Sequence, residues 1–548
     1  MSGPGKEAMV EQTARSDDSR CADEEAGSVL RLPERETVRR DLRERHIQMI
    51  SIAGMIGTGL FLGSGSAIAR AGPVGALLGY VIMGFITAGI AYMSGELSAF
   101  QPVSGGFVRH ATRMIDPAMG AATGWNFWYS MAITAPAEIT AASALIQFWD
   151  TKTSPAVWIS VFLVVIVVIN FCGVRVYGES EVIFASLKIL LIIGLIIAGL
   201  VVDLGGGPDH DRLGFRYWKN PGPFNAYLVE GNTGKFLGWW STLITAAFSY
   251  ANVQVVAIAG AETRDPRKNI PEAMKRTFLR VLVFYVLSIF IVGMIVPYND
   301  PQLSVSSGTA AQSPFVIAFS RAGINVLPDI INAIVCTSAI SSGSACVFIA
   351  SRTLYGLSKE GQAHRIFQKT NRWGVPVFSL GLSCLFLPLA YLVLGTDASV
   401  VFGWFVNITT VAGLIGWAVI CVTWLRFNRA FQVQGLSRQS LPYRSPLQPY
   451  TAWFCLVWVI LIILFSGFAV FFPGNFSASS FLTAYVNIPI FIALFIFFRI
   501  YYRSRFLRAH EIDIKTELAY IAQEKEQQAE LTEITPRSTW KRVLDRVL

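Results

Sequence analysis

The first apolar run of this chain, Ser51-Ile52-Ala53-Gly54-Met55-Ile56-Gly57-Thr58-Gly59-Leu60-Phe61-Leu62-Gly63-Ser64-Gly65, is crowded with glycine. Unwinding at Gly57-Thr58-Gly59 would leave backbone N–H groups at the start of a half-helix. Such groups bind a carboxylate without any cationic side chain. Close packing of small residues between helices accounts for the same glycines. A dinucleotide loop does not, because it needs a preceding strand and a βαβ unit. A second apolar run contains Phe248-Ser249-Tyr250-Ala251-Asn252-Val253-Gln254. Ser249, Asn252 and Gln254 are costly there unless they line a cavity or bond a neighbouring helix. Lys188 and Glu138 also lie within apolar runs, and Glu96 near the end of one. A buried lysine exchanges protons when burial disfavours its charged form; the alternative is a stem snorkelling to the interface. Glu138 follows Pro136, which removes a backbone hydrogen bond. It reads either as an acid facing an amine or as a packed carboxylic acid.

These residues need elements that hold them at membrane depth. The 548 residues are 53% hydrophobic and 15% charged, with a mean hydropathy of +0.49. Soluble domains carry about 25% charged residues, and about 20 apolar residues span a bilayer as a helix. Apolar stretches fall at about 47–70, 74–100, 118–149, 155–174, 182–202, 238–261, 278–298, 325–356, 376–395, 400–425, 450–473 and 482–502. With residues 1–46 as a disordered cytosolic tail and 503–548 as a cytosolic C-terminal tail, twelve spans alternate sides. Of the 45 Lys and Arg, only Arg70, Lys152, Arg212, Arg216, Lys219, Lys235 and Arg321 then fall outside, and Lys188 within a span. That asymmetry places both termini in the cytosol. It also explains the formal charge of +9 without a nucleic-acid partner. The tail ends in the basic amphipathic segment Trp540–Leu548, which suits either anionic lipid or solvent. Asn475-Phe476-Ser477 is a glycosylation sequon on an outer loop.

The first and sixth stretches stand five helices apart. Paired interruptions at equivalent positions of two repeats point to a transport site. Around these residues the sequence resembles the yeast amino acid transporter family of the amino acid–polyamine–organocation superfamily. The resemblance runs through His46-Ile47-Gln48-Met49-Ile50, Gly57-Thr58-Gly59-Leu60-Phe61, Gly95-Glu96 and Pro102-Val103-Ser104-Gly105-Gly106-Phe107. It continues in Glu138-Ile139-Thr140-Ala141-Ala142, Ala261-Glu262-Thr263 with Asp265–Pro271, and Ala350–Leu357. It covers about 450 residues, outside the tails. The resemblance implies an all-α, leucine-transporter-like fold, with two inverted five-helix repeats plus two helices. It also implies proton-driven, alternating-access uptake of amino acids across the plasma membrane, with no cofactor. Ubiquitin-dependent trafficking machinery is a further partner implied for the cytosolic tails. Carried over, the substrate carboxylate meets N–H groups at Gly57, Thr58 and Gly59. The amine meets carbonyls near Met55, Phe248 and Ser249, and Tyr250 gates the pocket. Lys188 takes the place of the coupling cation, with Ser341, Ser342 and Ser344 as neighbours. Glu262, beside Arg264 and Arg267, reads as an inner-gate ion-pair residue.

The chain departs from the family where Phe-x-Gly-x-Glu becomes Tyr250-Ala251-Asn252-Val253-Gln254. An amide replaces the amine-proximal acid, and Glu138 is the candidate substitute. The departure keeps open a carnitine or polyamine transporter and a non-transporting nutrient sensor. An enzyme is disfavoured: the five histidines lie outside the span centres, and neither a His-Glu-x-x-His motif nor a nucleophile elbow occurs.

Overall fold

The computed structural model describes residues 57–103, 105–255, 266–304, 313–324, 326–371 and 374–534. Residues 1–46, Met55, Glu262 and the segment Trp540–Leu548 lie outside the described residues, so the expectations placed on them rest on sequence alone.

A helix lies along the described part of each apolar stretch. The labelled helices are α1 (Thr58–Phe61), α2 (Gly63–Phe100), α3 (Phe107–Met114), α4 (Pro117–Ile146), α5 (Pro155–Phe171), α6 (Val174–Asp203), α7 (Gly231–Ser249) and α8 (Pro266–Ile295). They continue as α9 (Val326–Lys359), α10 (Val377–Cys384, extended by a 3-10 run Leu387–Leu394), α11 (Ala398–Val433), α12 (Tyr450–Leu464), α13 (Ala478–Tyr485), α14 (Asn487–Tyr502) and α15 (Lys515–Ile534). Among the described residues, five helices are long and apolar enough to cross a membrane unaided, and a sixth if α13 and α14, bent by 42°, form one span. Others are short, broken or rich in small residues. α4 is Ala- and Gly-rich and buried along nearly its whole length, so neighbouring helices surround it instead of lipid.

α2 is two helices in one. Gly72 has φ 75° and ψ 173°, and Pro73 follows. Glycine is needed there twice over. The positive φ excludes most side chains, and a Cβ would sit 2.8 Å from the Asn225 amide nitrogen and 2.9 Å from Phe224 Cα. The loop that crowds it seals the break: Val74 N–H donates to Pro223 O at 3.0 Å and Asn225 N–H to Ala71 O at 3.0 Å.

Packing follows the five-helix offset. The second stretch (α2) packs on the seventh (α8), the third (α4) on the eighth (α9), and α1 of the first on α7 of the sixth. In these three pairs a helix meets its equivalent five stretches on, the arrangement expected of two inverted repeats. The bundle ends beside the C-terminal tail are tied separately. Glu96, fully buried, accepts from Trp424 Nε1 at 2.9 Å, Arg438 Nη2 at 2.5 Å and the Ser445 amide at 3.1 Å. It is thus a structural latch between α2, α11 and the loop after α11. The C-terminal tail is docked too: Leu507 N–H donates to Ile115 O at 2.9 Å, and Gln434 Nε2 to Ile512 O at 2.8 Å. From there α15 reaches Arg267, which pairs with Glu517 at 2.7 Å and Glu524 at 2.8 Å. Arg267 also donates to the Ala99 and Phe100 carbonyls that end α2.

Candidate functional site

The interruption expected in the sixth stretch is present; in the first, Thr58 and Gly59 are helical instead of unwound, and the residues before Gly57 lie outside the described ones. Gly57 caps α1 in extended backbone, φ −121° and ψ −159°. α7 stops at Ser249, and Tyr250–Gln254 form turns before helix resumes at Val255. Asn252 sits at φ 71°, a left-handed conformation that Asn tolerates better than most residues. A glycine at this position, as in the family pattern, would meet the same backbone demand.

A cavity opens where the two segments meet. Gly57, Gly59, Phe248, Ser249, Asn252, Gln254 and Glu138 all border it. Ser342 of α9, expected beside Lys188, borders it too, while its other walls were not singled out from the sequence: Phe127, Ser130, Met131 and Thr134 of α4, and Thr409, Thr410, Leu414 and Trp417 of α11. Its core has room for water centres of about 40 Å³, space for roughly three waters at ~10–15 Å³ each.

The two cradle glycines serve different ends. A Cβ on Gly57 would lie 3.0 Å from Glu138 Oε1 and 3.2 Å from Ser342 Oγ. A Cβ on Gly59 would strike Ser249 Cα at 2.9 Å and Phe248 Cδ1 at 3.0 Å. Gly59 is therefore required by helix packing before any ligand is considered, whereas Gly57 keeps a carboxyl close to the half-helix. Ser249 is held from three sides: its Oγ donates to Thr245 O at 3.0 Å, lies 3.2 Å from Tyr80 Oη, and its carbonyl accepts from Tyr285 Oη at 3.0 Å. That carbonyl is engaged by Tyr285 and keeps one lone pair.

Tyr250 does not border the cavity. It is 1% exposed, with ring centroids 4.9 Å from Tyr285 and 6.2 Å from Tyr80. In this conformation it belongs to the wall behind the site and covers nothing. Sequence could not give its direction, because the break in the sixth stretch resets the helical phase.

Three buried ionisable groups, Glu138, Lys188 and Glu181, form one cluster. Glu138 is 2% exposed; Ser342 Oγ donates to its Oε1 at 3.0 Å, while its Oε2 has no hydrogen-bond partner among the described residues. Thr58 faces the same carboxyl, its hydroxyl likewise without a partner there. Lys188 is 1% exposed, which excludes the snorkelling alternative. Its electrostatic neighbours are Glu181 and Glu138. Glu181, 1% exposed, accepts from Ser341 Oγ at 3.1 Å. Ser344 instead holds Asn170 Nδ2 at 3.0 Å. Sequence reading missed Glu181 because the apolar stretch begins at residue 182; α6 in fact starts at Val174 and carries the acid two turns before the lysine. Buried polar atoms without partners cost about 1–3 kcal/mol each. Glu138 Oε2, Thr58 Oγ1 and Thr410 Oγ1 gather such unmet bonds at this one site.

The chain matches the Amino acid permease family over residues 46–511. It is 44% identical to a proline-specific permease of Emericella nidulans, over 88% of this chain and 89% of that protein. It is 39% identical to the dicarboxylic amino acid permease (87% and 80% covered) and to the basic amino-acid permease (93% and 89% covered) of Saccharomyces cerevisiae. In fold it is similar to a manganese transporter of Eremococcus coleocola, with a TM-score of 0.55 at 14% identity, over 90% of this chain and 98% of that one. A helix start at Gly57 and a helix break after Ser249 around a shared cavity, a family match over most of the chain and named permeases at this identity converge. The chain is a multi-pass membrane transporter and belongs to the amino acid permease family.

Proposed function

We propose that this protein is a plasma-membrane amino acid symporter that moves one proton with each substrate by alternating access. The observation that carries the reading is the cluster of Glu138, Lys188 and Glu181 beside the cavity. Two carboxylates and one ammonium leave a net charge of −1 in a buried setting, which one proton neutralises. Uncompensated buried charge is expensive, so the occluded state favours the protonated set.

The head group of an α-amino acid fits the same geometry. Its carboxylate and ammonium are separated by one carbon, and the site offers an acid and a half-helix N-terminus side by side. Glu138 receives the ammonium, with the Ser249 carbonyl as a second acceptor. The N–H groups following Gly57 receive the carboxylate. Glu138 can face a substrate carboxylate only when that carboxylate is balanced by the ammonium or by a proton, which links substrate binding to protonation. The names of the fungal relatives support amino acids as the substrate class.

The test is uptake of radiolabelled amino acids into a yeast strain lacking its own permeases. Uptake rising as external pH falls, abolished by a protonophore and unaffected by replacing sodium, is the expected result. Sodium dependence at fixed membrane potential would refute the coupling.

A further inference from the structure

We propose that Gln254, oriented by Trp417, selects amino acids with a neutral side chain and excludes those ending in an ammonium or guanidinium group. The proposal rests on the transport reading above and specifies its substrate.

Trp417 Nε1 donates to Gln254 Oε1 at 3.0 Å. An indole N–H is a donor only, so the amide cannot flip without facing donor against donor. That bond takes one of the oxygen's two lone pairs and holds the oxygen toward Trp417, so the NH2 end turns elsewhere. Gln254 borders the cavity, and no acceptor bonds its Nε2 among the described residues. Both side chains are deeply buried, Trp417 at 2% and Gln254 at 3% exposure, so the pair is fixed by packing. The cavity thus meets a neutral, fixed amide where a cationic side chain would need a negative charge.

The charge inventory agrees. Among the described residues that line the cavity, Glu138 is the one carboxylate and none is Lys or Arg. One carboxylate balances one ammonium, and the α-amino group present in every substrate takes it. A second cation would be desolvated without a partner, and so would a side-chain carboxylate. Polyamines, which carry several cations and no carboxylate, fail for the same reason. The small free space favours a compact side chain held by Phe127, Met131 and Leu414, with the Thr410 hydroxyl and Gln254 amide supplying polar contacts.

The experiment is a competition panel of proline, alanine, asparagine, glutamine, glutamate, lysine and arginine. It is run on the full-length wild type, Gln254→Glu and Trp417→Phe in the permease-deficient strain, with surface protein quantified. The wild type should take up neutral members and ignore lysine and arginine. Gln254→Glu still accepts from Trp417 but adds a negative charge, so lysine and arginine should gain about tenfold or more relative to neutral competitors. Trp417→Phe frees the amide to turn its oxygen inward and should narrow the neutral-to-cationic preference. Wild-type uptake of lysine or arginine as readily as of neutral amino acids would overturn the proposal. So would an unchanged preference in Gln254→Glu present at the surface. If that variant does not reach the surface, the wild-type panel and Trp417→Phe decide. Uptake of no amino acid at all would defeat the transport reading itself, whereas indifferent uptake would defeat only the selectivity.

Discussion

Glu138→Gln is the substitution whose outcome is most constrained. Glutamine keeps the shape of the side chain, and its Oε1 can still accept from Ser342 Oγ, 3.0 Å away. Only the charge is lost. Removing one partner of a buried charge pair costs about 2–5 kcal/mol, or roughly 30- to 5000-fold in affinity. KM should therefore rise by at least about 30-fold. A second consequence distinguishes this from damage to the fold. Without Glu138 the buried set is Glu181 and Lys188, already neutral, and no longer needs a proton. Residual uptake should lose its dependence on external pH and its power to concentrate substrate. Initial rates across substrate concentration at several external pH values, normalised to surface protein, measure both effects. A variant with KM within about twofold of wild type and the same pH profile would refute the assignment. Backbone carbonyls alone would then hold the amine.

Other consequences can be checked separately. Gly59→Ala places a Cβ 2.9 Å from Ser249 Cα and should lower thermal stability in detergent by about 1–3 kcal/mol, whereas Gly57→Ala meets the movable ends of Glu138 and Ser342 and should raise KM with stability retained. Arg267→Ala removes the ion pairs to Glu517 and Glu524, so limited proteolysis within 515–534 should accelerate while the helical core stays intact. His110, in the loop helix α3, donates through Nε2 to Gln101 O at 2.9 Å, and burial pushes its pKa down to about 4. Because the unfolded chain takes up the proton first, at about 6.5, its contribution is complete above that pH and is lost as pH falls toward 4. Melting temperature in detergent should drop over that window with a slope of up to about 1.4 kcal/mol per pH unit, and His110→Gln should flatten it.

The features legible in sequence were those that break a rule of the bilayer. Polar side chains inside an apolar run marked the break after Ser249, glycines marked the helix start at Gly57, and the five-helix interval linked the two. Lys188 stood out for the same reason. Rotational phase was not legible. Their spacing sets Ser130, Thr134 and Glu138 on one face of α4, but α4 is buried on every face, so nothing in its sequence says that this face borders the cavity. Tyr250 follows a break and points to Tyr80 and Tyr285, away from the cavity. Thr409 and Thr410 looked like ordinary hydroxyls within a span, where Thr409 bonds the Phe405 carbonyl of its own helix at 2.8 Å. Gln254 was visible as a departure, but the partner that gives it a direction, Trp417, lies 163 residues away in sequence.

The most direct test of the account is transport by the purified protein in proteoliposomes under an imposed proton gradient, acid outside, in sodium-free buffer. A neutral amino acid such as proline should accumulate transiently above equilibrium, the overshoot should vanish with a protonophore, and Glu138→Gln should equilibrate substrate slowly with no overshoot. Accumulation that persists without the gradient, or that Glu138→Gln reproduces at full height, would contradict it.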